Sequence, residues 1–73
     1  MKNTTTYAGY FNYIKFNLPM VRTVSEETEE LRDVVKDLQD HSTENKKSLD
    51  SYHVSVYTDG KKTSEIPLKN FKF

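Results

Sequence analysis

At 73 residues the chain has room for one small domain that buries only about 60% of its unfolded surface, so its stability margin is thin. Its composition, 34% hydrophobic and 30% charged, is that of a globular chain and excludes a disordered tail or a bundle of membrane spans. The absence of cysteine excludes disulfides and thiolate metal sites, and a net charge of zero argues against the global attraction behind non-specific nucleic-acid binding.

No apolar run approaches the roughly 18 residues that span a bilayer, and the opening "MKNTTTYAGY" has no hydrophobic signal core. An intracellular, cytoplasmic protein without membrane association is expected. Charge is unevenly distributed. Residues 1 to 23 carry Lys2, Lys15 and Arg22 and no acid, residues 24 to 50 are acidic, and residues 51 to 73 are again basic.

The stretch "TYAGYFNYIKF", residues 6 to 16, holds five of the nine aromatic residues. Its Tyr, Phe and Ile content favours a strand, predicted over about 5–18 and closed by Pro19. Gly9 inside it suggests a bulge or a close backbone approach. A period of two sends Tyr10, Ile14, Phe16 and Leu18 one way and Tyr7, Phe11 and Tyr13 the other.

Leu31, Val34, Val35 and Leu38 then repeat at the spacing of an amphipathic helix, predicted over about 25–41. Ser25 is its expected N-cap, or Thr23 with Glu26 forms a capping box two residues earlier. Residues 42–50 read as an exposed loop. Tyr52, Val54 and Val56 alternate with His53, Ser55 and Tyr57, and Asp59-Gly60 can turn a hairpin over about 51–68, with Pro67 marking an edge or an end. A tail, 69–73, carries Phe71 and Phe73.

These elements predict a small single-domain α+β fold in the order strand-helix-strand-strand. One amphipathic helix packs on one face of a three-stranded, mainly antiparallel sheet. One helix covers one face. The other is expected to be covered by a second copy, by the tail, or by a partner, with Tyr7, Phe11, Tyr13, Phe71 and Phe73 as the candidate contact surface for a protein partner or a dimer. On the helix, Glu26, Glu30, Asp33, Asp37 and Asp40 form an acidic stripe, read first as a solvated face and second as a docking surface for a basic groove.

No motif for catalysis, cofactor or metal stands out. Two glycines cannot build a phosphate loop, and a nucleophilic triad would have only His41 and His53 to choose from. His41, Glu44, Asp50 and His53 lack the spacing of a metal set; His41 reads as a helix-end residue and His53 as a strand residue. The functional expectation is a non-catalytic protein–protein interaction module. Its brevity and its Asn- and Lys-rich, cysteine-free composition suggest an adaptor or inhibitor of a host protein, of the kind phage or mobile elements encode. The alternative is a single-stranded nucleic-acid binder in which Tyr7, Phe11 and Tyr13 stack bases beside Lys15, Lys61 and Lys62; sparse lysines make nucleic acid the less expected partner.

Overall fold

The computed structural model describes residues 4–71. Strand β1, Thr5–Lys15, turns at Phe16 and Asn17 into strand β2, Leu18–Thr28. Helix α1, Leu31–Asn45, follows, then a 3-10 turn at Leu49–Ser51, strand β3, Tyr52–Thr58, strand β4, Lys61–Pro67, and a second 3-10 turn at Leu68–Asn70. The four strands form one antiparallel sheet in the order β2-β1-β3-β4. The fold is α+β, with four strands instead of three and the order β-β-α-β-β. Among the described residues no helix is long and apolar enough to cross a membrane.

The added strand corrects two boundaries. The first strand stops at Lys15, and residues 18–28 form β2 where an interstrand segment and the start of the helix were expected. The reason lies in the turn. Phe16 and Asn17 both take positive φ, 53° and 62°, the two-residue geometry that suits the twist of a hairpin. Pro19 does not end the segment. It sits opposite Ile14 in an edge strand, where a missing N–H is tolerated.

The helix runs from 31 to 45, not from 25 to 41. Ser25 is a buried strand residue opposite Gly9, and the N-cap position is Glu30, which makes no side-chain cap. Thr28 Oγ1 accepts the Glu30 N–H at 3.2 Å and makes the corner between strand and helix. At the far end Ser42 continues the inward face of Val35 and Leu38, which carries the helix through the segment read as loop. Lys46 closes it with φ 53°, its neighbour Lys47 donating to Ser42 O at 2.9 Å. His41 therefore lies a turn inside the helix end.

The core is Val34, Val35 and Leu38 of α1 against Tyr52 and Val54 of β3 and Leu68, flanked by Tyr7, Phe11, Val24, Leu31 and Phe71. Gly9 lies at its centre. A Cβ there would come within 2.8 Å of Leu38 Cδ2 and 2.9 Å of Cγ, so the helix can approach β1 only over a glycine. The β1–β2 register also shifts on both sides of Gly9, placing extra β2 residues opposite it and its neighbour. Bulge and close approach coincide at this position.

The opposite face of the sheet is covered from within. Ala8 and Ser55 pair across β1 and β3 on the face away from the helix, yet both are buried. Tyr10 and Tyr57 stand on either side of that pair and their hydroxyls meet at 2.9 Å, arching over the two small residues. Neither a second copy nor the tail is needed to bury this part of the sheet. Phe71 packs against the helix-side core, and Phe73 lies outside the described residues.

Candidate contact surfaces

Pairing between β1 and β3 ends at Phe11 opposite Tyr52, whereas pairing between β1 and β2 continues to Lys15 opposite Leu18. Residues 12–21 therefore leave the body as a two-stranded arm, in a molecule 44 Å long and 18 Å thick. Among the described residues six large apolar ones are exposed, and five lie on this arm: Ile14 76%, Phe16 86%, Leu18 61%, Met20 39% and Val21 58%. With aromatic side chains of 150–250 Å² and aliphatic ones somewhat smaller, these fractions leave roughly 600 Å² of apolar surface in water over the two faces and the tip of the arm, a concentration of the kind that marks contact sites on soluble proteins.

The register divides the arm into two faces. Ile14, Pro19 and Val21 share the side of Ala8 and Tyr10; Tyr13, Lys15, Leu18, Met20 and Arg22 share the side of the helix. Lys15 holds its ammonium 5.7 Å from the centre of the Phe16 ring. At the corner where the arm leaves the body, Asn12, Tyr13, Ile14, Pro19, Met20 and Val21 line an open groove of about 420 Å³ with Asp50 and Ser51.

A second cluster occupies the sheet face beside the tyrosine arch. Asn12 Nδ2 donates to His53 Nδ1 at 2.9 Å, and His53 Nε2–H donates to a Glu65 carboxylate oxygen at 2.8 Å, which also receives Lys62 Nζ at 3.5 Å. These partners set the Nε2-protonated tautomer. Burial lowers the imidazole pKa below its ordinary 6.5, with Glu65 pulling it up and Lys62 pushing it down. The Tyr10 ring stacks on the imidazole at 5.3 Å. The Tyr10 phenol is raised to about 12, first by its hydrogen bond to Tyr57 and then by burial. With both ring nitrogens engaged, the imidazole has no free lone pair and no free N–H, so the cluster ties β1 to β3 and β4 rather than presenting a base.

His41 lies on the other face. Its Nδ1 is 2.6 Å from the Tyr52 hydroxyl, and its ring meets those of Phe11 and Tyr52 at 5.4 and 5.6 Å. Burial raises the Tyr52 phenol, which keeps the hydroxyl neutral against the imidazole. The sheet separates His41 from His53.

Of the aromatic residues singled out by sequence, Tyr7, Phe11 and Phe71 pack on the helix-side core, and Tyr13 is half-buried with its ring stacked 5.7 Å from Phe11. Of the acidic stripe, Glu26 belongs to β2 and Glu30 to the helix entry; Asp33, Asp37 and Asp40 remain on the exposed side of α1, and none is in an ion pair among the described residues. Lys61 and Lys62 lie on β4, separated from β1 by β3, and Lys62 faces Glu65. Sequence reasoning missed Met20 and Val21, and it placed Ile14, Phe16 and Leu18 without giving them a role. The available signal was the apolar pair Phe16 and Leu18 on either side of Asn17, which reads as a turn only if Phe16 is allowed a positive φ.

The architecture defines a small β-β-α-β-β domain with a projecting apolar hairpin. In comparison with known proteins, no family model, no curated protein and no solved structure matches the chain.

Proposed function

We propose that this chain is a non-catalytic protein–protein interaction module whose contact element is the arm of residues 12–21. Phe16 carries the reading. It holds a left-handed backbone that costs a bulky L-residue on the order of 1 kcal/mol, and it leaves its ring 86% exposed. Neither choice helps folding. The same molecule makes its other two-residue turn from Asp59 and Gly60, at φ 52° and 82°, with residues suited to those angles. A strained, exposed aromatic at the tip of an apolar hairpin is what a contact surface requires and a folding unit does not.

The role that fits is a cytoplasmic adaptor or inhibitor, as composition suggests for a phage or mobile-element product. It would act by covering a surface on another protein molecule. The experiment is retention on immobilised protein, wild type against Phe16→Asn/Leu18→Asn and against Asp37→Lys/Asp40→Lys. What the wild type retains, whether tagged copies of the chain or another protein, is lost from the arm variant and kept by the helix variant. Equal retention by the wild type and the arm variant contradicts the proposal.

A further inference from the structure

We infer that the occupant of the arm is a second copy of this chain, docked about a two-fold axis so that the tip of each arm fills the corner groove of the other. The inference rests on the arm being the contact element and adds its partner. Knob and hole are both present on one molecule. The knob is Phe16 with Lys15 above its ring; the hole is the groove of about 420 Å³ between Ile14, Pro19 and Val21 of the arm and Asp50 and Ser51 of the body, open enough to take a phenyl ring. A surface that contains its own complement satisfies the rule for a closed symmetric dimer, in which the same patch serves both subunits.

Three further observations favour a twin over a foreign surface. Residues 12–15 of β1 have no strand paired on the β3 side, because the ladder with β3 stops at Phe11; past the 3-10 turn that flanks Asn12 and Tyr13, the edge at Ile14 and Lys15 is left to an antiparallel copy of itself. Charge matches: the arm is cationic through Lys15, with Arg22 at its base and no acid before Glu26, and the groove carries the Asp50 carboxylate, whose only ion pair among the described residues is the exposed one with Lys69. Antiparallel docking brings each Lys15, travelling with its phenyl ring, to the Asp50 of the mate. The area suits a weak dimer. The roughly 600 Å² of exposed arm is shared between two faces, so one contact covers part of it together with the polar groove walls, less than the 800 Å² or so per partner of a standard interface and in the range of a weak dimer that forms as concentration rises.

The test is solution mass by light scattering over a wide concentration range, with the full chain and charge-reversed variants. The wild type should move toward twice the 8.6 kDa chain mass as concentration rises. Phe16→Asn should remain a monomer. Lys15→Glu and Asp50→Lys should each weaken association by about tenfold, since each puts like charges together at both ends of the dimer. Mixing the two variants should restore it, because only the mixed dimer pairs Glu with Lys at one end and Lys with Asp at the other. A wild type that is monomeric throughout, a dimer untouched by Phe16→Asn, or a mixture that associates no better than its components overturns the inference. If the wild type is monomeric and the arm variant still loses a retained foreign protein, the arm stands as the contact element and only its occupant was misassigned. If retention is also unchanged, both readings fall.

Discussion

Gly9→Ala places a methyl group where the helix touches the sheet. Its carbon would lie 2.8, 2.9 and 3.1 Å from Leu38 Cδ2, Cγ and Cδ1. Cγ is not a flexible end, and Leu38 is fully enclosed by the core it shares with Val34, Val35, Tyr52 and Val54, so it cannot swing aside. Helix and sheet must separate by several tenths of an ångström. Overpacking of this kind costs about 1–3 kcal/mol, offset by the 0.4–1 kcal/mol or so that alanine contributes by restricting the unfolded chain. The net loss is about 1–2 kcal/mol, which lowers Tm by roughly 4–16 °C in a domain of this size. Thermal unfolding followed by far-UV circular dichroism reads it. Adding Leu38→Ala supplies the control: the double variant should be more stable than the two separate losses predict, because the second change removes what the first collides with. A Gly9→Ala protein as stable as the wild type, or strictly additive losses, would refute the packing described for Gly9.

Three other groups give independent readings. His41→Leu leaves the buried Tyr52 hydroxyl without its hydrogen-bond partner and should cost about 1–3 kcal/mol, most of which Tyr52→Phe in the same chain should recover; denaturant titration of the cycle measures both. Tyr10→Phe removes the hydroxyl bridge that arches over Ala8 and Ser55, at a cost of about 0.5–1.5 kcal/mol, and ultraviolet titration should show the phenolate forming near pH 12 disappear. Because the Tyr10 pKa is raised on folding, its contribution is present below pH 10 and lost as pH rises through 10 toward 12. His53 has the opposite sign. Its folded pKa lies below the ordinary 6.5, so the unfolded chain takes up the proton first; its contribution is full above 6.5 and lost as pH falls through that value toward the folded pKa. Stability measured from pH 7.5 down to 5 should therefore fall more steeply in the wild type than in His53→Gln, and parallel curves would show that the imidazole is not desolvated.

Much of this molecule follows from residue spacing. Leu31, Val34, Val35 and Leu38 name the inward face of α1 without reference to any neighbour, because a period of 3.6 is a local property. Asp59-Gly60 announces its hairpin because both residues tolerate the backbone the turn needs. The first hairpin carries no such signal. Its turn is Phe16-Asn17, where only Asn17 is a favourable choice, and β2 is written in Thr, Ser and Glu, which also suit a helix entry. What makes residues 23–28 a strand is the ladder with β1, including two bulges, and that pairing is a tertiary fact. The exposed apolar arm was hidden for the same reason. The apolar residues of 6–16 look alike in sequence, yet Tyr7 and Phe11 face the helix, whereas Ile14 faces the other way and lies with Phe16 beyond Phe11, where β3 no longer pairs. The double-sided apolar pattern serves two purposes in one strand, a core in its first half and an arm in its second.

The measurement that bears most directly on the arm is the stability of Phe16→Asn set beside its association. Asparagine suits the left-handed turn and exposes little apolar surface, so Tm, taken at a concentration where the wild type is monomeric, should rise by a few degrees while self-association and partner retention disappear. A fall in Tm would mean that Phe16 supports the fold, and association that persists would mean that the arm is not the contact surface.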